Sequence, residues 1–299
     1  MKETKKILIT GAGSYVGTSF EKWLSQWPDS YHIDTIDMID GSWREKSFVG
    51  YDVVFHVAGI AHSDTSKANE LTKRLYYQVN TELAVETAIK AKNDGVKLFI
   101  QMSSIIVYGN SAPIGKEKII TKETPVNPDN FYGDSKLQAE TGILKLLDEQ
   151  YSVAILRPPM IYGKGSKGNY PKLAKLAKTL PIFPDIENFR SMIFIDNLSE
   201  FIRIIIDNNC HGIFFPQNED YVQTRELVKE IAGIHGKNIY LTSFFNLLIK
   251  HVFKKSKLFN KVFGNLCYDK KISNMDWPYN IYNFSDSIRK TEAWCADNV

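Results

Sequence analysis

The sequence predicts an α/β protein with a doubly wound parallel sheet and a smaller irregular part toward the C-terminus. In the first half of the chain, short apolar and β-branched runs alternate with longer amphipathic stretches, a pattern typical of strands alternating with helices. The short runs are almost continuously apolar, which indicates strands buried on both faces of a sheet. With 299 residues, the chain can bury one large core or a large and a small one.

The individual elements follow from these runs. The predicted strands are KILIT (6–10), HIDTIDMI (32–39), DVVFHVAG (52–59), KLFIQMSS (97–104) and SVAILRPP (152–159), and the predicted helices cover the stretch up to about residue 27, about 66–93 and 130–150. From about residue 164 the pattern loosens, so a second, irregular part is expected there. Ligands of open parallel sheets bind beyond the carboxyl ends of the strands, and functional residues are expected along that rim.

Composition excludes several classes of function. With 43% apolar and 24% charged residues, the chain is typical of ordinary globular proteins, and its net charge of +3 is too small to indicate a nucleic-acid partner. Cys210, Cys267 and Cys295 are too widely spaced for a disulfide framework or a metal site. Because neither a signal peptide nor an apolar membrane span is apparent, a cytoplasmic protein without a bound metal is expected.

The stretch ITGAGSYVG (9–17) lies between the first strand and the first helix, where a glycine-rich turn can hold a dinucleotide pyrophosphate at the helix N-terminus. Asp37 follows Gly17 by twenty positions, the separation at which an acidic residue meets a ribose hydroxyl pair. Its carboxylate would repel a 2′-phosphate, which favours NAD over NADP. Alternatively, the glycines form a plain tight turn, and Asp34, Asp37 and Asp40 are solvated loop acids.

The stretch FYGDSKLQAE carries the candidate acid–base group. Tyr132 and Lys136 are four residues apart at the start of a helix, so their side chains share one face. An ammonium about 4 Å away can bring the pKa of a phenol down from about 10 toward neutrality, and the tyrosine can then act as a general acid or base. Ser103 and Ser104 end the preceding strand, where a hydroxyl can bind a substrate oxygen. An ordinary solvated helix face is the alternative.

Together these segments resemble the extended short-chain dehydrogenase/reductases, the NAD-dependent epimerase/dehydratase family. The matching stretches are TGAGSYVG, DVVFHVAG, the VN of YYQVNTELA, SSIIVYG, ETPVNPDNFYGDSKLQAE, LRPPMIYG, RSMIFIDNLSEFI and DSIRKTEAW, which span nearly the whole chain. In the turn T-G-x-x-G-x-x-G of the family, Ser14 occupies the place of the middle glycine. The resemblance implies a Rossmann domain from 1–163 with about 191–215, and a nucleotide-sugar-binding part from 164–190 and 216–299.

The resemblance also implies roles for individual residues. Ser104, Tyr132 and Lys136 match the catalytic residues of the family, and the serine and tyrosine oxygens are then expected to converge on one point. The residues that match the lining of the dinucleotide site are Gly11, Ser14, Tyr15, Val16, Asp37, Ala58, Gly59, Asn80, Ser103, Tyr132, Lys136 and Pro158. For the nucleotide sugar, Arg190 matches an arginine that binds the diphosphate in the family. Asn169 begins a helix that resembles a family helix near the diphosphate. A surface ion pair is the alternative for Arg190.

Some positions depart from the family pattern. Met160 replaces an asparagine common in R-P-x-N-x-Y-G, and the usual C-terminal arginine before Gly-Asp has no clear counterpart in NMDWPYNIYNF. Ile105 and Ile106 stand where family dehydratases carry an aspartate and a glutamate. Because isoleucine cannot move protons, these two positions argue against a 4,6-dehydratase.

The resemblance therefore implies hydride transfer at a sugar carbon. The stretch from Arg157 to Ile202 and the later FNKVFGNLCYD look most like capsule-biosynthesis reductases, which reduce UDP-4-keto-6-deoxy-N-acetylhexosamines at carbon 4. That is the favoured interpretation, and an NAD-dependent UDP-sugar 4-epimerase is the alternative. A non-catalytic cofactor-binding regulator of the same fold is a third hypothesis. NADP stays open as the cofactor, because many such reductases use it.

Two expectations concern partners. Family members often pair through two long helices, here about 66–93 and 132–150, and these helices carry apolar residues beyond one stripe, so a homodimer is expected. The stretch 237–271 combines bulky apolar residues with many lysines, which would suit a membrane surface. A helix of the substrate part with solvated lysines is the favoured interpretation of that stretch.

Overall fold

The computed structural model describes residues 3–61, 68–244, 246–253 and 256–293. Its strands are β1 (Lys5–Thr10), β2 (Tyr31–Ile36), β3 (Val53–His56), β4 (Leu98–Met102), β5 (Ile119–Ile120), β6 (Ser152–Leu156), β7 (Met160–Tyr162), β8 (Ile182–Pro184), β9 (Met192–Phe194), β10 (Gly212–Phe214), β11 (Tyr240–Thr242) and β12 (Cys267–Tyr268). Its α-helices are α1 (Tyr15–Leu24), α2 (Glu70–Tyr77), α3 (Leu83–Asn93), α4 (Phe131–Leu144), α5 (Asn169–Thr179), α6 (Ile195–Asp207), α7 (Thr224–Ile234), α8 (Asn246–Val252), α9 (Lys257–Phe263), α10 (Lys270–Ser273) and α11 (Phe284–Glu292).

The main sheet has six strands in the order β10-β6-β4-β3-β1-β2. Every neighbouring pair is parallel, so the predicted doubly wound parallel sheet is confirmed. The strand order reverses between β1 and β3, and such a switch point is where ligands of open α/β sheets bind. The inner strands β3 and β4 are buried along their whole length, which agrees with their uninterrupted apolar sequence. Sequence patterns missed β10, because it has only three residues, none of them fully buried.

All five predicted strands begin within one residue of the expected position, and four of them end early, whereas β1 ends at Thr10 as predicted. β3 ends at His56 rather than at residue 59, because the N–H groups of Val57 and Ala58 both bond to the carbonyl of Thr10 (3.0 and 2.9 Å) and the chain turns outward. β6 ends at Leu156 rather than at residue 159, just before two prolines that have no N–H to donate.

The chain divides into two compact units. The first comprises Met1–Gly109, Val126–Pro158 and Leu198–Pro216, and the second comprises Asn110–Pro125, Pro159–Asn197 and Gln217–Val299. These bounds differ from the predicted domains in two ways. Residues 110–125 belong to the second unit, because β5 pairs with β12. The chain changes unit after Pro158 and again after Asn197, because β7 pairs with β9 inside the second unit.

In its described part, the second unit contains three two-stranded parallel sheets, β11–β8, β12–β5 and β7–β9. A buried carboxylate joins its helices α5, α7 and α11. Glu292 accepts hydrogen bonds from Tyr170 Oη (3.0 Å), Lys178 Nζ (3.0 Å) and His235 Nε2 (2.7 Å). This unit is therefore ordered by polar contacts as well as by its small sheets.

The long helix predicted at about 66–93 is present from Glu70 to Asn93, and residues 66 and 67 lie outside the described residues. A π-helical turn at Gln78–Glu82 joins α2 to α3, and such turns are often found at functional sites. The helix predicted at 130–150 ends at Leu144. It ends early because Asp148 Oδ1 accepts hydrogen bonds from the backbone N–H groups of residues 150 and 151 (2.9 Å each), which turns the chain toward β6.

The stretch 237–271 forms β11, α8, α9 and β12 and reaches the start of α10, with residues 245, 254 and 255 outside the described residues. Tyr240, Phe244, Leu247 and Val252 are exposed there. Within the described ranges, none of the helices has the length and apolar character needed to cross a membrane. Contact of this stretch with a membrane surface remains a hypothesis.

Candidate active site

The segment after β4 carries the candidate serines. As the sheet pairing ends, Ser103 N–H donates to the carbonyl of Leu156 (2.7 Å), and Ile105 N–H donates to the carbonyl of Pro158 (2.9 Å). These two bonds hold residues 103–105 against the end of β6. Ser104 follows in extended backbone and caps a short 3₁₀ turn, with its Oγ accepting from Ile106 N–H (3.3 Å).

The start of α4 brings the tyrosine to this serine. Asn130 caps the helix by accepting a hydrogen bond from Gly133 N–H (3.0 Å). A Cβ atom on Gly133 would lie 2.8 Å from the carbonyl oxygen of Ile106, so only glycine allows this close approach. The hydroxyls of Ser104 and Tyr132 lie within hydrogen-bonding reach of each other.

The protonation of Tyr132 differs from the sequence-based expectation. Burial raises the pKa of its hydroxyl to about 12, the hydrogen bond from Ser104 opposes this rise, and Tyr76 adds to it. The expected lowering by Lys136 is not observed, because the Lys136 ammonium donates instead to the carbonyl of Met102 (3.0 Å). Tyr132 therefore carries its proton at neutral pH in this structure.

Lys136 is buried in the first unit. Burial lowers the pKa of its ammonium to about 8, and the charge of Glu140 opposes this shift. A Cβ on Gly59 would lie 3.0 Å from Lys136 Nζ and 3.1 Å from Asn80 Oδ1, so the lysine and asparagine converge on this glycine. Asn80, in the π-helical turn, accepts from Ile60 N–H (2.8 Å) and donates to Ser135 Oγ (3.1 Å).

A buried ion pair that sequence patterns missed lies directly behind these groups. Arg157 Nη2 is 2.5 Å from Glu140 Oε2, and Nε is 3.1 Å from Oε1. Ser103 Oγ also donates to Glu140, and Arg157 Nη1 donates to Tyr108 Oη (2.7 Å). Glu140 is four residues after Lys136, so the helical period could have identified it. Ser103 is predicted to line the cofactor site, and in the structure its hydroxyl donates its hydrogen bond to Glu140 of this pair.

His56 is a second group that sequence patterns missed. It is fully buried at the end of β3, and its Nδ1 lies 2.7 Å from Thr10 Oγ1. In the described part of the chain, its Nε2 has no hydrogen-bond partner. Burial, together with the charge of Lys136, lowers the pKa of His56 to about 3, so the imidazole is neutral. Its position under the strand ends is set by the parallel register of β1 and β3.

The glycine-rich turn fits a phosphate-binding role. The N–H groups of Gly11 and Ala12 both bond to the carbonyl of Ile36 (2.9 and 3.1 Å), which anchors the turn to β2. A Cβ on Gly11, at φ +113°, would lie 2.8 Å from Ala58 N, whereas Gly13, at φ +70°, faces open space. Glycine is thus needed at 11 for close backbone contact, and the space at 13 would admit a phosphate.

Ser14 takes a defined part in this turn. It caps α1, and its Oγ accepts a hydrogen bond from Gly17 N–H (3.2 Å). Tyr15 and Val16 are half-buried and begin the helix. A Cβ on Gly17 would lie 2.6 Å from Ser14 Oγ. The serine at the place of the family's middle glycine is therefore an N-cap that depends on the last glycine of the turn.

Two further predicted cofactor residues follow strands of the same sheet in the first unit. Asp37 follows β2, is exposed, and accepts a hydrogen bond from Ile39 N–H (2.9 Å). Because β1 and β2 are parallel neighbours, the aspartate lies at the same rim as Gly11. Pro158, just after β6, is buried, and its carbonyl accepts a hydrogen bond from Ile105 N–H; its role near the cofactor stays a prediction.

The two predicted sugar-nucleotide residues belong to the second unit. Asn169 begins α5 and is half-buried. Arg190 Nη1 donates to Ser111 Oγ (3.1 Å) and to the carbonyl of Gly264 (3.0 Å). Burial lowers the pKa of this guanidinium to about 10. Of the residues that the structure describes, no carboxylate lies within 4.0 Å of it, so the surface ion pair considered as an alternative is absent there.

Removing one partner of the buried Glu140–Arg157 pair should cost much more stability than removing one partner of an exposed pair. Arg157→Met leaves the Glu140 charge buried and unpaired, so we expect the free energy of unfolding to fall by about 3–5 kcal/mol. Adding Glu140→Leu to this variant should recover part of the loss. The control is Arg44→Met, which removes a pair of the same length (2.5 Å) whose side chains are about half exposed, and should cost about 1 kcal/mol or less. Urea unfolding measures all four proteins, and equal losses for the two arginine variants would contradict the prediction.

The low pKa of Lys136 predicts a pH-dependent stability. Its ammonium has a pKa of about 8 when folded and 10.5 when unfolded, so between these values the unfolded chain holds a proton that the folded chain lacks. Stability contributed by this group therefore rises with pH across that window and is lowest below pH 8. Compared with Lys136→Met, the unmodified protein should gain about 2 kcal/mol between pH 8 and pH 10.

Urea unfolding at steps of one pH unit tests this prediction. Lys145→Met is the matched control, because it removes an exposed lysine just after the same helix and should leave the profile unchanged. A constant difference between the unmodified protein and Lys136→Met at every pH would contradict the prediction.

Comparison with known proteins agrees with this geometry. Residues 7–214 match the sequence model of the NAD dependent epimerase/dehydratase family. The UDP-glucose 4-epimerase of Vibrio cholerae is 31% identical over 293 residues, which cover 90% of this chain and 88% of that protein. The N-acetyl-alpha-D-glucosaminyl-diphospho-ditrans,octacis-undecaprenol 4-epimerase of Escherichia coli O157:H7 is 27% identical over 255 residues, 78% of this chain and 73% of that protein.

A solved structure extends the likeness to the fold. The crystal structure of a dTDP-4-dehydrorhamnose reductase from Clostridium acetobutylicum has a TM-score of 0.71 and 20% identity, and the alignment covers 98% of this chain and 99% of that one. At that identity the likeness shows the shared fold alone. The family match, which spans more than half of the chain, together with the Vibrio cholerae relative, shows that this chain belongs to the NAD dependent epimerase/dehydratase family.

Proposed function

We propose that this chain is an NAD-dependent 4-epimerase of a UDP-sugar. The observation that carries the proposal is the pair of hydroxyls on Ser104 and Tyr132, which lie within hydrogen-bonding reach of each other, with the buried Lys136 one turn after Tyr132 in α4. Such a pair suits proton exchange with one carbinol oxygen. Both sequence relatives described above are 4-epimerases by name. For that reason we propose the epimerase rather than the reductase that the sequence motifs favoured.

The first unit offers a fitting site for the cofactor. The turn at Gly11–Ser14 and the first N–H groups of α1 would hold the pyrophosphate, and Asp37 would meet a ribose hydroxyl pair. Lys136 and Asn80 would face the other ribose from their buried position beside Gly59. When bound, NAD supplies a reversible hydride acceptor for the sugar carbon.

The chain's own residues would manage the proton. Tyr132 Oη would take the proton from the hydroxyl on carbon 4 while that carbon is oxidised, and would return it to the same oxygen when the ketone is reduced. Ser104 donates a hydrogen bond that strengthens as charge develops on the oxygen. The pocket around Lys136 excludes water, which strengthens these interactions. Because burial holds the pKa of Tyr132 high, a nearby positive charge is needed before it can act as a base.

That raised pKa favours one second candidate. A protonated Tyr132 is ready to donate to the oxygen of a 4-keto sugar, so reduction of a UDP-4-keto-6-deoxy-N-acetylhexosamine remains the alternative activity. The two activities share every residue described above. They differ in whether a stable ketone is the substrate and whether reductant is consumed.

For the substrate, we propose that Arg190 binds the diphosphate of the UDP group. Its enclosed guanidinium, without a carboxylate contact among the described residues, suits a doubly charged ligand. We also propose a homodimer that pairs α2, α3 and α4. Leu71, Leu75 and Ile89 are exposed on the first two of these helices, and burying them would supply apolar area for that interface.

Turnover with defined sugars tests the assignment. Interconversion of UDP-glucose with UDP-galactose, or of the N-acetyl pair, without added reductant is expected. Consumption of one NADH or NADPH per 4-keto-6-deoxy sugar, with no interconversion, would support the reductase instead. Binding of NAD with neither reaction would favour the regulator hypothesis and contradict the proposal.

Tyr132→Phe tests the assigned proton donor and acceptor. We expect kcat to fall by roughly 10²–10⁴-fold, because a positioned general acid–base group contributes about that much. NAD affinity should change little, since the ring remains. Calorimetry with NAD and single-turnover kinetics separate the two effects, and a variant that keeps near-full turnover would remove Tyr132 from this role.

A further inference from the structure

Lys270, in the second unit, carries an ammonium without a hydrogen-bond acceptor among the described residues. The Nζ atom of Lys270 is shielded from solvent and, in the described part of the chain, has no hydrogen-bond acceptor. It lies 4.2 Å from the centre of the Tyr221 ring, a contact that stabilises an ammonium only modestly. Leaving an ammonium buried without an acceptor costs free energy. Such a group is therefore a candidate for binding an anion.

The surrounding backbone fixes this position. Lys270 begins α10, immediately after β12, and Asp269 N–H bonds to the carbonyl of Ile120 (2.8 Å). Tyr221 Oη donates to the carbonyl of Tyr268 (2.8 Å). The ring and the start of α10 are thus held to the same short strand, and the ammonium is placed by ordered backbone rather than by a free loop.

The carboxylates near Lys270 do not contact it. The charges of Glu219 and Asp220 favour the ammonium, while burial opposes it. Neither carboxylate forms an ion pair with it within 4.0 Å in the described structure. The cation is therefore attracted by distant charges but has no direct acidic partner.

Arg190 lies in the same part of this unit. It exchanges backbone hydrogen bonds with Val222 (3.0 and 2.9 Å), the residue after Tyr221, and forms a β-bridge with Leu266, the residue before β12. The thiol of Cys267 is within electrostatic range of both Arg190 and Lys270. Two enclosed cations, each without a carboxylate contact among the described residues, are therefore grouped around the same strand.

We propose that Lys270 binds the diphosphate of the nucleotide sugar together with Arg190. This inference rests on the proposed function and adds a residue that sequence motifs left unassigned, where the C-terminal arginine of the family has no clear counterpart. A diphosphate carries charge for both groups, with the planar guanidinium binding as a fork and the ammonium as a point charge. Its arrival would give the Lys270 ammonium a hydrogen-bond acceptor and would add an anionic partner to the guanidinium of Arg190, which contacts only Ser111 and a backbone carbonyl among the described residues.

Lys270→Gln tests the proposal, with Lys271→Gln as the matched control. Both substitutions remove one charge from α10, and Lys271 is exposed. Calorimetry would measure the affinity for UDP. We expect Lys270→Gln to weaken UDP binding by about 10-fold or more, the effect of losing one hydrogen bond to a charged group, and Lys271→Gln to change it by less than 2-fold. Lys270→Arg should restore most of the affinity, which separates loss of charge from misfolding.

The outcomes separate this inference from the proposed function. Lys270→Gln that binds UDP as the unmodified protein does would overturn the role of Lys270 and leave the epimerase assignment intact. Equal losses in both glutamine variants would overturn it too, because they would indicate a diffuse effect of net charge. An unmodified protein that binds no UDP overturns both proposals.

Discussion

The ion pair between Glu140 and Arg157 is the interaction on which the candidate site depends. It joins α4 to the end of β6, and Ser103 extends it to the end of β4. Ser104 is the next residue of the chain, and Lys136 is one helical turn before Glu140, so the pair sets where both reactive groups lie. Two charges buried this deeply are stable only while each satisfies the other. The pair therefore fixes the register of helix against sheet more strictly than apolar packing would.

Exclusion of water is the second constraint, and it sets the protonation of the site. Burial keeps Tyr132 a neutral hydroxyl, keeps His56 a neutral imidazole and weakens the charge of Lys136. All three shifts disfavour charge before ligands bind, as expected of a dry pocket. A ligand that brings charge therefore changes these pKa values more than it would at a surface, because the local dielectric is low. The site is poised to respond to the cofactor and substrate rather than to bulk pH.

Sequence patterns predicted what depends on local period and missed what depends on tertiary pairing. The apolar strands and the i, i+4 spacing of Tyr132 and Lys136 were readable because both repeat along one element. The ion-pair partner of Glu140 was not readable from the sequence, because Arg157 contacts Glu140 only once β6 has paired in the sheet. The same reason hid Lys270, whose burial depends on a two-residue strand and on Tyr221. Short pairings such as β5–β12 carry too few residues to leave a pattern, yet together with side-chain contacts such as Arg190 to Ser111 they join residues 110–125 to the second unit.

The rim of the first unit also limits which reaction the proposed roles permit. Ile105 is buried and Ile106 half-buried in the turn that follows Ser104, and neither can deliver or remove a proton. The only acid–base groups that the described rim brings together beside Ser104 are then the Tyr132 hydroxyl and the ammonium behind it. One hydroxyl pair can serve one carbon, which agrees with the chemistry that we propose at carbon 4, whereas loss of water from carbon 6 would need a second acid. The face of that carbon at which the reaction occurs must then depend on the orientation of the bound sugar.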